Sequence, residues 1–465
     1  MEACQPEVVR IKVGCCPKKA PCPKCGKLGK RIRRPLRRRV RSIAYQKIVY
    51  LDITYGEYRA RCDCCKTFRT HPPDVVPKGH YDNKVREAVL NRILDDAMNV
   101  ETVLRALRRD FHLELSTGFV YDCLRDAARQ LDLADQRQFV LEHFSGTLCV
   151  DELHLGRYTL LLATDPLRDM PVAFALVASN DQAHMERFLN NLKNWGLTPK
   201  VVVTDGSSLY PTLLKHLWKD AQHQLCIFHV IQDINKLLLD EVRRLRSKLS
   251  RRGNAGRRRR RGRPRRGAKR RRTLTNKDKS AFIFKHRHVL VKRRENLTDA
   301  DRRHLRTLFE YLPDLATVRS FADAVYRLFH ASRTEASTRQ RRMRLLRQPA
   351  YRKHPGLVQA LKILSDDVKF DKMMAFLRSP QKRRVRTNNH VERCNRRLRY
   401  FEKVRYKWRR RRTLVRFLVL TLDRWWTNKR AELETAPKLH TPRKKPTPPP
   451  ARPRSCKTDA ADVAA

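Results

Sequence analysis

Two aspartates are the first residues whose setting suggests chemistry, Asp151 in LCVDELH and Asp205 in VVVTDG, each reached through a run of apolar residues. A carboxylate in such a place either caps the next turn, the ordinary role for Asp205 before Gly206, or serves a ligand. In sheets flanked by helices, ligands gather at carboxyl ends of strands, and two acids brought together there repel unless a cation lies between them. The pair therefore points to a hard divalent metal. A third acid, Glu392, lies in RTNNHVERCNRRLRYF, where Val391, Cys394, Leu398 and Phe401 share one helical stripe and Asn388, Glu392, Asn395 and Arg399 a neighbouring one. Such a helix can pack and still present Glu392, whose alternative is a surface ion pair with Arg396 at the next turn. Glu152 and Asp165 are rival acids, but Glu152 is expected on the strand face opposite Asp151, and Asp165 precedes Pro166 in a turn.

The cysteines suggest a different metal. Of 13, eight lie within the first 65 residues, while Cys123, Cys149, Cys226, Cys394 and Cys456 are scattered, a distribution that favours a local metal site over a disulfide framework. Cys22-Pro-Lys-Cys25 and Cys62-Asp-Cys-Cys65 form two C-x2-C pairs able to place four thiolates around Zn²⁺, with Cys15, Cys16 and Cys64 as alternative ligands. Cys226 and His229 form a C-x2-H pair that reads equally as zinc ligands or as a buried cysteine beside a hydrogen-bonded histidine.

These residues need elements to position them. Residues 1–75 combine the cysteine clusters, a basic stretch from Lys30 to Arg41 and an alternating run, IAYQKIVYLDITYGEYRARC, that predicts a hairpin. Residues 80–135 turn helical, with Val85, Val89 and Ile93, then Val103 and Leu107, then Val120 and Leu124 on successive apolar faces and Ser116 or Thr117 as a cap. Three such helices form either a helix-turn-helix, with the segment after Ser116 in a major groove, or a packing spacer. From about residue 145 to 428 the rhythm is α/β. TLCVDELHL, YTLLLATDP and MPVAFALVAS predict an antiparallel meander, followed by a helix from Asp181 to Trp195, a strand KVVVTDG, a helix near Leu209 to Trp218 and a strand HQLCIFHV. That order fits a ribonuclease H-like core. A basic and helical insertion occupies about 240–380, and residues 436–465 form a Pro-rich tail expected to be disordered.

The chain of 465 residues carries a formal charge of +58, from 105 Lys and Arg against 47 Asp and Glu, so a polyanion is the natural partner. Arg251 to Arg272 contains no acid and reads as a flexible polycation that adds phosphate affinity, with Arg257, Arg258 and Arg259 among its DNA-contact candidates. Arg393, Arg396 and Arg399, with Tyr400, Tyr406 and Trp408 nearby, suggest further phosphate contacts and base stacking. No apolar segment is long enough to span a membrane and the N-terminus lacks a signal-peptide pattern, so a soluble, reduced, cytoplasmic protein is expected.

On VDELHLGRY, VVVTDGSSLYP, CIFHV and TNNHVERCNRRLR, taken in that order, the sequence resembles the DDE transposases of bacterial insertion sequences, over most of the chain up to about Trp426. The resemblance implies a ribonuclease H-like catalytic domain behind a zinc ribbon and a helix-turn-helix region. It implies that Asp151, Asp205 and Glu392 bind Mg²⁺ or Mn²⁺, with Cys226 and His229 accessory and Cys22, Cys25, Cys62 and Cys65 on structural Zn²⁺. Two ions about 3.5 to 4 Å apart suit in-line displacement at phosphorus. The implied partners are the terminal inverted repeats and target DNA, bound by a homodimer or larger assembly. A DNA-binding regulator derived from such an enzyme, and a nuclease of the same fold, are the alternatives.

Overall fold

The computed structural model describes residues 6–61, 65–207, 210–252, 274–404 and 410–435. Cys62, Cys64, Arg257, Arg258, Arg259, Arg405, Tyr406, Trp408, Arg409 and the Pro-rich tail lie outside the described residues.

The N-terminal region forms two small sheets. In the first, β1 (Glu7–Cys15) pairs in parallel with β5 (Lys47–Tyr55), and β5 pairs antiparallel with β4 (Leu36–Ala44). The second has the order β2 (Lys19–Pro21), β3 (Leu28–Arg31), β6 (Glu57–Arg59), β7 (Thr67–Arg69). The hairpin thus starts earlier than the sequence predicts. Its first strand is the basic stretch itself, because LRRRVRSIA alternates and buries Val40 and Ser42 while leaving Arg37 and Arg39 exposed. Tyr45 and Gln46 make the turn, with Gln46 at φ 57°.

Four capped helices follow: α1 (Asn83–Leu94), α2 (Val100–Phe111), α3 (Thr117–Gln130) and α4 (Leu133–His143). Asp82, Asn99, Ser116 and Asp132 each accept backbone N–H bonds from the first turn of the helix they precede, satisfying donors that a helix start leaves unpaired.

The central sheet has the order β10 (Met170–Val177), β9 (Tyr158–Asp165), β8 (Thr147–Leu155), β11 (Val201–Thr204), β12 (Gln222–Leu225). The first three strands form the expected meander, and β11 and β12 join it in parallel through α5 (Gln182–Asn194) and α6 (Pro211–Leu217). Alternation gives the sheet two apolar faces. Leu148, Val150, Leu161, Ala163 and Val202 pack with α5 and α6. Cys149, Leu153, Leu160, Leu162 and Val203 pack towards α1 to α3 and the C-terminal helices. A leucine fully buried in this way contributes roughly 1.5–3 kcal/mol.

After β12 the chain turns helical: α7 (Ile227–Arg252), α8 (Asn276–His286), α9 (Asp299–Tyr311), α10 (Asp314–Leu328), α11 (Glu335–Arg347), α12 (Pro349–Arg352), α13 (Pro355–Ser365), α14 (Asp367–Met374) and α15 (Lys382–Val385). These helices surround a separate core that includes Ile234, Phe321, Leu357 and Phe370. The last two helices, α16 (Asn389–Val404) and α17 (Arg411–Thr435), return to the sheet, where Trp426 Nε1 donates to the Pro171 carbonyl at 2.7 Å. The strand expected over HQLCIFHV stops at Leu225, and IFHV instead opens α7. Ile227, Val230, Ile231 and Ile234 recur at helical spacing and all enter the core, an arrangement a strand cannot give. Among the described residues no helix is long and apolar enough to cross a membrane.

Candidate active site

Asp151 lies within β8 rather than at its end. It stands where β8 outruns β11. These strands pair in parallel as Val201↔Thr147, Val202↔Leu148 and Val203↔Cys149, β11 ends at Thr204, and Asp205 just beyond it lies near enough for its charge to act on both Asp151 and Glu152. Asp205 Oδ1 also accepts the Ser207 N–H at 2.9 Å, so the turn-capping role read from the sequence is real and occupies one oxygen.

The first turn of α16 is stitched to this spot by amides. Asn388 is fully buried; its side chain donates to the Val150 carbonyl at 3.0 Å and its N–H to Cys226 Sγ at 3.2 Å. Two turns on, Asn395 Nδ2 donates to Asp151 Oδ2 at 2.8 Å. Val391, Cys394, Leu398 and Phe401 are buried, as their stripe predicts, which turns Glu392 towards the sheet. Glu392 makes no ion pair with Arg396 among the described residues; its Oε1 lies 3.5 Å from His229 Nε2. Cys226 precedes α7 and its N–H donates to Thr204 O at 2.8 Å, so the end of β11 holds the thiol in place. One ligand atom each from Cys226, His229 and Glu392 lies within 4.8 Å of the others.

Burial pushes the Asp151 carboxyl up to about 7, helped by the negative charges of Glu152, Asp205 and Glu392. Burial likewise raises the Cys226 thiol, with the Glu392 charge adding to it. Among the described residues no lysine or arginine pairs with Asp151, Glu152, Asp205 or Glu392. Glu392 Oε1, His229 Nδ1, Asn388 Oδ1 and Asn395 Oδ1 are buried and without hydrogen-bond partners. Unmet polar atoms are costly in a folded interior, and these four belong to residues tied to Val150, Asp151, Cys226 or one another.

The rival acids have other work. Asp165 is fully buried and accepts from Ser145 N, Ser145 Oγ, Leu167 N and Arg168 N, which closes the β9–β10 turn. Glu152 points to the face opposite Asp151, where Tyr210 Oη donates to it at 2.6 Å. The roles of Asn388 and Asn395 were not visible in the sequence, although both fall on the Glu392 stripe.

Residues 148–415, more than half of the chain, match the family model DDE_Tnp_ISL3, described as a transposase. The chain belongs to this transposase family. Among solved structures, the transposase is similar to the Drosophila P element transposase strand transfer complex, at 11% identity and a TM-score of 0.35, covering 76% of this chain and 92% of that one. No curated protein matches it significantly. The matched region of this DNA transposase runs from β8 into α17 and contains Asp151, Asp205, Cys226, His229 and Glu392.

Away from the sheet, Cys22 Sγ lies 3.3 Å from Cys65 Sγ, and the Cys22–Gly26 turn is closed by Gly26 N–H to Cys22 O at 2.9 Å with Gly26 at φ 73°. Cys15 Sγ donates to Thr54 O, and Cys16 Sγ accepts from Arg31. Arg396 and Arg399 are exposed, whereas Arg393 pairs with Asp169 at 3.2 Å.

Proposed function

We propose that Asp151, Asp205 and Glu392 are the metal-binding triad of a ribonuclease H-like catalytic core, which cuts DNA at the ends of its element and joins the freed ends to target DNA. One observation carries this reading: in a chain of +58 charge, the acids around Asp151 have gathered without a single lysine or arginine partner among the described residues. The donor set fits Mg²⁺, or Mn²⁺ in its place, because the groups are hard oxygens and Glu392 Oε1 lacks any other partner. When bound, such ions lower the barrier to in-line displacement at phosphorus by neutralising charge on the attacking and leaving oxygens. Asn395 holds Asp151 Oδ2 in one orientation, and Asn388 fixes the start of α16, so Glu392 is presented from a rigid element. His229, beside Glu392, and Cys226, beneath Asn388, are accessory: they position the helix and its carboxylate.

In this reading residues 145–428 are the catalytic domain, with the insertion at about 240–380. Residues 1–75 are a zinc ribbon and 80–135 a helix-turn-helix region that together recognise the terminal repeats. Cys22, Cys25, Cys62 and Cys65 are the zinc ligands. Tetrahedral thiolates about 2.3 Å from zinc stand roughly 3.8 Å apart, close to the Cys22–Cys65 spacing, and the hydrogen bonds of Cys15 and Cys16 leave those two less available. Arg396 and Arg399, with Arg393 and the Arg257–Arg259 segment, add phosphate contacts. A homodimer or larger assembly, acting in the cytoplasm on bacterial nucleoid DNA, is the setting we assign.

The test is Mg²⁺-dependent cleavage and joining of DNA from both flanks of the gene, comparing the intact protein with Asp205→Asn. The intact protein is expected to cut and join, and the variant to bind only. Cutting without joining would instead favour a nuclease of this fold, and binding without cutting by either protein a regulator that has lost catalysis.

A further inference from the structure

The strand registers of β1, β5 and β4 set one face of the N-terminal sheet. Arg10, Lys12 and Gly14 of β1 align with Tyr50, Asp52 and Thr54 of β5, and these with Arg41, Arg39 and Arg37 of β4. The opposite face buries Val40 and Ile53 against Val75, so the charged face is turned outwards. Arg10, Lys12, Arg37 and Arg39 are exposed. Among the described residues Asp52 is the only acid on this face; Arg39 Nε donates to it at 2.8 Å, and the charges of Arg10 and Lys12 also act on it. Arg10, Lys12 and Arg37 have no ion-pair partner among the described residues, so most of the positive charge is left over.

Two arginines of the face are held in place. Arg39 and Arg41 lie over the Tyr50 ring at 5.4 and 5.0 Å, and Arg41 is further pinned to the carbonyls of Val49 and His112. A side chain at Gly14 would meet nothing within 4 Å, and beside it opens a depression of about 620 Å³ lined by Lys12, Gly14, Arg37, Arg39, Asp52 and Thr54.

Helix α3 offers no comparable charge. Its Asp122 and Asp126 balance its Arg125 and Arg129, Arg125 pairs with both acids, and Asp126 also takes Arg86 of α1 at 3.2 Å. Of its two arginines, Arg125 is paired and Arg129 alone is exposed and without an ion pair among the described residues.

We infer that the open face of the β1–β5–β4 sheet, rather than α3, is the surface of the N-terminal region that lies against the phosphate backbone of duplex DNA. Strands spaced about 4.8 Å apart with cations at alternate residues present a grid of positive charge to a polyanion whose neutralisation releases counterions. The contact is blind to sequence and fixes how the protein lies on the duplex. This inference rests on the DNA-end-binding reading above.

The test uses the full-length protein and a fluorescent duplex from one flank of the gene, with binding measured over a series of salt concentrations. Three variants are compared: Arg10→Gln/Lys12→Gln/Arg37→Gln in the sheet, its charge-keeping counterpart Arg10→Lys/Lys12→Arg/Arg37→Lys, and Arg125→Gln/Arg129→Gln in α3. Each phosphate contact contributes about 0.9 to the slope of log affinity against log salt. The neutral sheet variant is expected to lose roughly 2 to 3 from that slope, the charge-keeping variant to retain it, and the α3 variant to lose less than 1. Should the triple variant fail to fold, Lys12→Gln alone is expected to lose about 1. An unchanged slope in the sheet variant, or an equal loss in the α3 variant, overturns the inference. Either result leaves the catalytic reading intact, because that reading stands or falls on cleavage by the intact protein and Asp205→Asn.

Discussion

Acids in the helical insertion and acids at the central sheet live under opposite rules. In the insertion, Glu335 takes Arg339 and Arg378, Asp371 takes the same two arginines, Arg319 pairs with Asp323, and buried Glu241 is held by Arg244, His354 and the Gly356 N–H. At the sheet, Asp151, Asp205 and Glu392 stand among amides, a thiol and an imidazole, while Glu152 on the opposite face takes a tyrosine. With 105 basic residues in the chain, supply does not explain the difference. The insertion uses its acids to hold helices together, whereas the acids at the sheet have no lysine or arginine partner among the described residues, as the proposed metal-binding role requires.

The comparison breaks most visibly under substitution at the sheet. Asp151→Asn, Asp205→Asn or Glu392→Gln is expected to lower Mg²⁺-dependent cleavage by about 10³-fold or more, since the cation supplies several kcal/mol of charge stabilisation, with DNA binding by gel shift unchanged. In the insertion the expected damage is to stability. Glu241→Ala removes one partner of a buried pair and is expected to cost about 3 kcal/mol in urea unfolding. Next in size is Asn395→Ala, which frees Asp151 from its donor; a 10- to 100-fold loss of cleavage is expected, as for partners that orient metal ligands, with the urea midpoint moved far less.

The smallest effect concerns pH. Arg378 and Arg339 hold the Glu335 carboxyl down at about 2, below its ordinary range. A depressed carboxyl stabilises the fold above the unfolded pKa of about 4.3 and loses that contribution as pH falls towards 2. Thermal unfolding between pH 5 and 2.5 is expected to fall less steeply for Glu335→Gln than for the intact protein. Parallel curves would remove this pair of arginines from the account.

The meander and β11 were legible in the sequence because each is a short, strongly apolar run with clear breaks, whereas β12, Gln222–Leu225, is mostly polar and announced only by the apolar residues after it. Asp151 and Asp205 were legible because charge inside such runs is rare. HQLCIFHV misled because a short apolar run fits a strand or a buried helix equally, and only packing against the insertion core decides it. Pairing of β1 with β5 was hidden because it joins residues 40 apart in parallel and β1 is mostly exposed. Asn388 and Asn395 stood on the right stripe, but an amide announces no partner until β8 lies beneath it.

The most direct measurement is Mn²⁺ binding to the full-length protein, followed by electron paramagnetic resonance in the absence of DNA. The intact protein and Glu335→Gln are expected to bind Mn²⁺ alike, while Asp151→Asn and Glu392→Gln lose at least tenfold in affinity. Equal Mn²⁺ binding by all four proteins would contradict the claim that the unpaired acids at the sheet are kept for a metal.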